Sequence, residues 1–257
     1  MAEFCKVERD GRVTIVTINR PEVMNALHPP ANDELAAAFD EFVADPDQWV
    51  AIITGAGERA FSAGNDLKYQ ASGGKMWSPD SGFAGLTARH DNAKPVIAAV
   101  NGVAMGGGFE IALACDIIVA SENAIFALPE PRVGLAALAG GIHRLPRQIG
   151  LKPAMGMLLT GRRVPADEAV RLGIANEVVP ADQLMKAARG WAEQILECAP
   201  LSVRASKAAA TRGLAFAGVE EAMAQRYDEI VAMYGSEDFI EGPRAFAEKR
   251  SPKWKGK

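Results

Sequence analysis

The stretch PVIAAVNGVAMGGGFEIALACDIIVA, residues Pro95–Ala120, carries most of the information about the fold. Its first six residues form an apolar run that predicts a strand over Pro95–Val100. Three consecutive glycines then open an apolar segment, Gly106–Cys115, that predicts a helix, and Ile117–Ala120 predicts the next strand. Strands that are apolar on both faces and alternate with helices indicate an α/β fold with a largely parallel, covered sheet.

Segments on the N-terminal side extend the same pattern. Val13–Ile18 is rich in β-branched residues and predicts a strand, and Val50–Thr54 predicts a second, wholly apolar one. Between them the apolar residues of Leu35–Val43 recur at helical spacing, which predicts a helix with Asn32 or Asp33 as its N-cap.

The chain becomes helical after about residue 150. The predicted helices and apolar stripes are Ala166–Leu172 (ended by Gly173), Leu184–Ile195, Val219–Ile230 and Phe239–Arg250. A change in composition near Cys198 predicts a boundary between an α/β core, residues 1–197, and a helical region, residues 198–257. The apolar stripes of the helical region are too small to bury one another, so they need the core or another subunit.

Composition excludes several classes of protein. Of 257 residues 49% are hydrophobic, and 28 Lys+Arg against 32 Asp+Glu give a net charge of −4, which fits neither a disordered chain nor a nucleic-acid-binding surface. Three isolated cysteines predict a reducing compartment, and we expect a cytoplasmic protein. No signal peptide is visible, and no uninterrupted apolar run approaches the ~18 residues of a membrane span.

Familiar catalytic motifs are missing. The three histidines are scattered, and no Cys/His pair has metal-ligand spacing, so we predict no metal site. Ser62 does not lie in a Gly-x-Ser-x-Gly turn, and the glycines of Gly102–Gly108 do not fit the dinucleotide-binding spacing.

The glycines before Glu110 are the strongest chemical signal. Glycines that open a helix leave backbone N–H groups free, at the positive end of the helix dipole, where an anion or a developing oxyanion can bind. Glu110 follows Gly107 by about one helical turn, so its carboxylate can share this site. Alternatively, the glycines only permit close helix–strand packing, and Glu110 faces solvent.

Glu130 provides a second carboxylate, in Leu-Pro-Glu-Pro at the end of the predicted strand Ile125–Leu128. We expect Pro131 to force Glu130 into extended backbone. Two carboxylates in apolar surroundings form an acid/base pair, because desolvation raises their pKa values toward neutral pH. Alone, the motif would indicate a surface turn.

The loop Phe61–Lys68 follows the second strand. Its Ala-Gly turn would offer a second backbone N–H, from Asn65, and Lys68 would meet a phosphate. Alternatively, it is an ordinary strand-to-helix connection with a solvated lysine.

Together these segments resemble the crotonase (enoyl-CoA hydratase/isomerase) superfamily along essentially the whole chain. The matching segments, in order, are Asn19–Pro21, Asn25–Leu27, Phe61–Lys68, Lys94–Gly102, Gly106–Glu110, Phe126–Glu130, Gly140–Pro146, Leu159–Gly161 and Phe246–Arg250. The resemblance implies a spiral of ββα units, C-terminal helices that mediate trimerisation, often as a dimer of trimers, and an acyl-CoA substrate. It implies no cofactor, since coenzyme A is part of the substrate.

The resemblance also implies roles for individual residues. The thioester oxygen would be held by the N–H groups of Asn65 and Gly107, and Glu110 and Glu130 would position a water and move its protons. The remaining substrate-binding positions would be Met24, Ala26, Ala63, Asp66, Leu67, Lys68, Gly106 and Pro129, with Phe246 and Lys249 from a neighbouring subunit.

Within the superfamily the chain is most similar to the carnitinyl-CoA dehydratase (crotonobetainyl-CoA hydratase) group. The similarity is strongest at Gly82–Thr87, Lys94–Gly108, Ser236–Pro243 and Ala245–Gly256. Asn65 departs from the tryptophan expected in that group. The first expectation is therefore an enoyl-CoA hydratase. The alternatives are a carnitinyl-CoA dehydratase, an enoyl-CoA isomerase and, most remotely, a non-catalytic RNA-binding or scaffold relative.

Overall fold

The computed structural model describes residues 2–257, which form ten strands and eleven α-helices. The strands are β1 (Cys5–Asp10), β2 (Val13–Ile18), β3 (Val50–Gly55), β4 (Ala60–Ser62), β5 (Val96–Val100), β6 (Val103–Met105), β7 (Ile117–Ser121), β8 (Ile125–Ala127), β9 (Val164–Pro165) and β10 (Glu177–Val179). The helices are α1 (Pro29–Ala44), α2 (Leu67–Ala71), α3 (Gly107–Ala114), α4 (Gly141–Ile149), α5 (Leu151–Thr160), α6 (Ala166–Leu172), α7 (Leu184–Leu196), α8 (Pro200–Gly213), α9 (Val219–Met223), α10 (Asp228–Tyr234) and α11 (Asp238–Ala247).

Two sheets form the core of the fold. The larger sheet has the order β1-β2-β3-β5-β7-β10 and is parallel except for the antiparallel pair β1–β2. The smaller sheet has the order β4-β6-β8-β9. Three times along the chain, a strand of the larger sheet is followed by a strand of the smaller sheet and then by a helix. This repetition is a spiral of ββα units, and the predicted parallel α/β architecture is confirmed.

The central strands β3, β5 and β7 of the larger sheet are covered on both faces, which explains their nearly wholly apolar sequences. On one face Ile53 and Ala98 join a core that also contains Phe39 of α1 and Phe109 of α3. On the other face Ile52, Ile97 and Val119 pack with α7. Because side chains alternate between the faces of a strand, both sets of positions must be apolar.

Several predicted elements are confirmed. The strand Val13–Ile18 has the predicted bounds, the glycine-opened helix covers Gly107–Ala114, and α6 ends at Gly173 with φ 80°. None of the helices within residues 2–257 combines the length and hydropathy needed to cross a membrane.

The predicted N-cap of α1 is wrong. The helix begins earlier, at Pro29, after His28, and no side chain caps it. Prolines at its first two positions have φ preset for a helix and no N–H to satisfy. Asn32 is instead buried inside the helix, and its side-chain oxygen accepts a hydrogen bond from Ala84 N at 2.8 Å.

The predicted continuous stripe Val219–Ile230 is also wrong as a single helix. The chain forms α9 and α10 separately, because Tyr227 adopts extended backbone (φ −110°, ψ 118°) between them. Val219 and Met223 are not buried in the chain itself but are 76% and 80% exposed.

Candidate active site

The N-terminus of α3 presents an unused backbone donor. Gly106 adopts φ 54° and ψ −128°, a conformation suited to glycine, and α3 begins at Gly107. Within residues 2–257 the Gly107 N–H has no acceptor. It lies at the positive end of the helix dipole, so a negatively charged oxygen is favoured there.

A second unused donor lies beside the first, in the loop after β4. Gly64 has φ 85°, and a Cβ added to it would lie 2.8 Å from Gly107 N, so the loop packs directly against the start of α3. Leu27 N donates to Gly64 O at 2.8 Å, and Asp66 N donates to Leu27 O at 2.9 Å. These bonds fix the loop but leave the Asn65 N–H without an acceptor in the part of the chain that the structure describes.

The three glycines also serve close packing, so neither interpretation of this motif excludes the other. A Cβ on Gly107 would lie 2.5 Å from the Phe83 ring, and a Cβ on Gly108 would lie 2.0 Å from Ser62 O. A Cβ on Gly106 would lie 3.1 Å from Glu130 Oε1. The glycines therefore allow the Gly107 N–H, the start of α3 and the Glu130 carboxyl to lie close together, because no side chain occupies the space between them.

Glu110 lies in the first turn of α3 and is 3% exposed, so the alternative that it faces solvent is wrong. Its Oε1 accepts a hydrogen bond from Gly141 N at 2.8 Å. Burial raises its pKa from 4.5 to about 7; the Gly141 bond and the Arg144 charge oppose this rise, and the Glu130 charge adds to it. At neutral pH Glu110 is thus suited to both hold and release a proton.

Glu130 begins a 3-10 helix, Glu130–Val133, directly after Pro129. The predicted extended backbone is wrong, because Pro131 occupies one of the first helical positions, where its missing N–H costs nothing. Glu130 Oε2 is buried without a hydrogen-bond partner among the described residues, and burial raises the pKa of this carboxyl. A surface turn does not describe this environment.

A single cavity of about 490 Å³ brings these groups together. Eight of the predicted site residues line it: Ala63, Asn65, Leu67, Gly106, Gly107, Glu110, Pro129 and Glu130. Six predicted residues do not line it: Met24, Ala26, Asp66, Lys68, Phe246 and Lys249. Lys68 is exposed beyond the cavity, and Phe246 is 87% exposed in the C-terminal region.

The side chain of Asp66 supports the loop and does not face the cavity. Its carboxylate accepts from Tyr69 N at 3.1 Å, which caps α2, and from the Arg20 guanidinium at 3.0 Å. Burial alone would raise the pKa of Asp66, but the Tyr69 bond and Arg20 outweigh it and hold the pKa below its usual range. The carboxylate of Asp66 thus has a structural role, and the expectation that Asp66 lines the coenzyme A groove stays a prediction.

Two walls of the cavity contain none of the predicted site residues. One comes from residues 82–88 and includes Phe83 and Thr87; the other comes from residues 133–139 and includes Leu135 and Leu138. Arg144 connects the walls, because its guanidinium donates to Thr87 O at 2.7 Å and to Ala139 O at 3.3 Å. The first wall contains the motif Gly82–Thr87, whereas residues 133–139 belong to none of the matching segments. Among residues 2–257, no cluster of three or more His, Cys, Asp or Glu side chains could hold a metal ion.

Comparisons with known proteins agree with this geometry. A model of the family described as enoyl-CoA hydratase/isomerase matches residues 8–257. Carnitinyl-CoA dehydratases of Proteus mirabilis and Salmonella typhi are each 46% identical over 266 aligned positions that cover 100% of both chains. An enoyl-CoA hydratase from Mycobacterium tuberculosis has a TM-score of 0.93 at 39% identity over 99% of both chains. A probable enoyl-CoA hydratase/isomerase from Mycobacterium abscessus has a TM-score of 0.91 at 41% identity over 100% of both.

Proposed function

The chain belongs to the enoyl-CoA hydratase/isomerase family, and we propose that it adds water reversibly across the 2,3 double bond of an enoyl-CoA thioester. It is thus a hydro-lyase. One observation carries the proposal: a buried carboxyl (Glu110), a half-buried carboxyl (Glu130) and two unused backbone N–H groups line the same cavity.

The two amides provide the electrophilic half of the site. The thioester oxygen accepts hydrogen bonds from Asn65 N and Gly107 N, and these bonds strengthen as the oxygen becomes an enolate. One such donor is typically worth about 3–4 kcal/mol of barrier. Because the donors are fixed by the loop and the helix start, they need no rearrangement when the charge develops.

The two carboxyls provide the proton transfers. Burial raises the pKa values of both carboxyls, and the Glu130 charge raises the pKa of Glu110 further, so we assign one shared proton to the pair near neutral pH. The ionised carboxyl accepts a proton from water as the water oxygen bonds to C3, and the protonated carboxyl donates its proton to C2 of the enolate. The pair again holds one proton after the reaction.

The pair of carboxyls favours hydration over isomerisation. Moving a double bond requires one group that takes a proton from one carbon and returns it to another. Holding and splitting a water between C2 and C3 uses two groups, and both Glu110 and Glu130 line the cavity. A scaffold or RNA-binding role would leave the raised pKa values of this pair without a use.

We further propose a homotrimer, or a hexamer as a dimer of trimers, in the cytoplasm. Large apolar side chains of the region 198–257 are exposed in the single chain: Leu214 (75%), Val219 (76%), Met223 (80%) and Phe246 (87%). Subunit contacts would bury them, and Phe246 and Lys249 would then reach a neighbour's substrate. Sedimentation should give a trimer or hexamer, and Met223→Lys should shift it toward smaller species. A monomeric wild type would contradict this assembly.

The reaction itself is tested by incubating the purified protein with crotonyl-CoA and with a 3-enoyl-CoA. The proposal predicts conversion of crotonyl-CoA to 3-hydroxybutyryl-CoA and little conversion of the 3-enoyl isomer. Rapid isomerisation without hydration would contradict the hydratase function and support an isomerase instead. No turnover of any acyl-CoA, together with tight RNA binding at physiological salt, would support a non-catalytic role instead.

A further inference from the structure

The cavity has apolar walls beyond its catalytic groups. Glu110 and Glu130 are the only ionisable residues that line it in residues 2–257. Four branched apolar side chains on its walls are strongly exposed: Leu67 (47%), Val133 (57%), Leu135 (46%) and Leu138 (77%). Exposed apolar side chains grouped on a cavity wall indicate that an apolar ligand covers them.

The cavity offers no aromatic surface for a quaternary ammonium group. Such cations are recognised by the faces of aromatic rings. Phe83 is the one aromatic residue on the walls that the structure describes, and it is only 6% exposed. Its ring packs tightly against Gly107, where an added Cβ would lie 2.5 Å from Phe83 Cε1. Trp77 is 51% exposed but does not line the cavity.

The walls of the cavity offer no partner to a charged acyl tail of either sign. A cationic tail would lose its hydration against apolar side chains and would find no aromatic face on the described walls. The Arg144 guanidinium donates to Thr87 O and Ala139 O, so these donors are not available to a carboxylate tail. A carboxylate tail would meet no cation on the walls and would be repelled by Glu110 and Glu130.

We propose that this site selects enoyl-CoA thioesters with uncharged, apolar acyl chains, which Leu135 and Leu138 contact, and discriminates against acyl chains that end in a trimethylammonium or a carboxylate group. The inference rests on the proposed hydratase function and names its substrate class. It separates this chain from the activity that the names of its carnitinyl-CoA dehydratase relatives describe.

The test compares substrates of matched shape. Crotonobetainyl-CoA carries a trimethylammonium group, and 5,5-dimethylhex-2-enoyl-CoA carries a neutral tert-butyl group of nearly the same shape at the same position. We expect kcat/KM for the neutral thioester to exceed that for the cationic one by at least tenfold, and glutaconyl-CoA, with its carboxylate, to be hydrated least. Equal or faster hydration of crotonobetainyl-CoA would overturn the inference.

Chain length gives a second readout. Each buried methylene is worth about 0.8 kcal/mol, which corresponds to about a fourfold gain in kcat/KM. From crotonyl-CoA to trans-2-hexenoyl-CoA we therefore expect a gain of roughly tenfold or more. A loss of activity with the longer chain would contradict an apolar wall.

A charged substitution tests whether Leu138 lies on the wall that contacts the acyl tail. Leu138→Glu places a carboxylate opposite the acyl tail and should narrow the preference for the neutral over the cationic substrate by about tenfold. Leu151→Glu is the matched control, because Leu151 is 63% exposed on α5 and does not line the cavity. An equal change of this substrate preference in both variants would contradict the assignment of Leu138 to the wall that contacts the acyl tail. Failure to hydrate crotonyl-CoA at all would instead refute the proposed function, so the two failures are distinguishable.

Discussion

Glu110→Gln should make the protein more stable above neutral pH while it removes activity. The glutamine keeps the shape of the side chain and an oxygen that accepts the 2.8 Å hydrogen bond from Gly141 N, but it cannot ionise. In the wild type the carboxyl is 3% exposed, and burial raises its pKa from 4.5 to about 7. The folded protein therefore holds a proton that the unfolded chain releases between these two pH values.

The sign and size of the effect follow from this difference. Raising the pH from 4.5 through 7 destabilises the wild type, because ionising Glu110 is harder in the folded state than in the unfolded state. A difference of about 2.5 pKa units at 1.36 kcal/mol per unit gives a maximum of about 3 kcal/mol. The variant lacks this loss, so its advantage in the free energy of unfolding should be under about 1 kcal/mol at pH 5 and about 3 kcal/mol at pH 8.

The assay is urea unfolding of both proteins at pH 5 and pH 8 and at one fixed protein concentration, since assembly adds to apparent stability. Glu193→Gln, on the exposed face of α7, is the control and should follow the wild type at both pH values. A stability difference between Glu110→Gln and the wild type that is the same at pH 5 and pH 8 would refute the reasoning that burial keeps this carboxyl protonated.

Two further substitutions test the donors and the charge around the pair. Gly64 has φ 85°, and a Cβ there would lie 2.8 Å from Gly107 N, so Gly64→Ala should displace the Asn65 and Gly107 amides and lower kcat by ~10²–10³-fold. Gly150→Ala is the control, because Gly150 has a similar φ of 82° but open space around it. An equal loss of kcat in the control would attribute the effect to backbone strain alone. Arg144→Met removes a positive charge that lowers the pKa of Glu110, so the pH–rate profile should shift to higher pH. Arg144→Lys keeps the charge and should shift the profile less. A pH–rate profile identical to that of the wild type in both variants would contradict this electrostatic role.

The parts of the fold that local pattern determines were predictable. The strand Val13–Ile18 and the helix α3 follow from apolar runs and from a glycine start, which depend on neighbouring residues. The cavity walls depend on contacts between distant segments: Arg144 donates to Thr87 O across 57 positions of sequence. Apart from the 3-10 turn Phe83–Gly85, both walls are turns and loops without periodicity.

The same distinction applies inside the site. Glu110 and Glu130 stand out in the sequence because a charged residue in an apolar segment needs a reason. The orientation of Asp66 could not be predicted, since it depends on Arg20, which lies 46 positions earlier in the chain. A carboxylate beside a predicted anion-binding loop is thus as easily a loop support as a ligand contact, and only the fold distinguishes the two.

Steady-state hydration of crotonyl-CoA by the wild type, Glu110→Gln, Glu130→Gln and the double variant tests the central claim most directly. If both carboxyls move the protons of one water, each single variant should lose ~10²–10⁴-fold in kcat with little change in KM. The double variant should be no worse than the poorer single variant by more than about tenfold, because the two groups act as a unit. Hydration near the wild-type rate in either single variant would contradict the account.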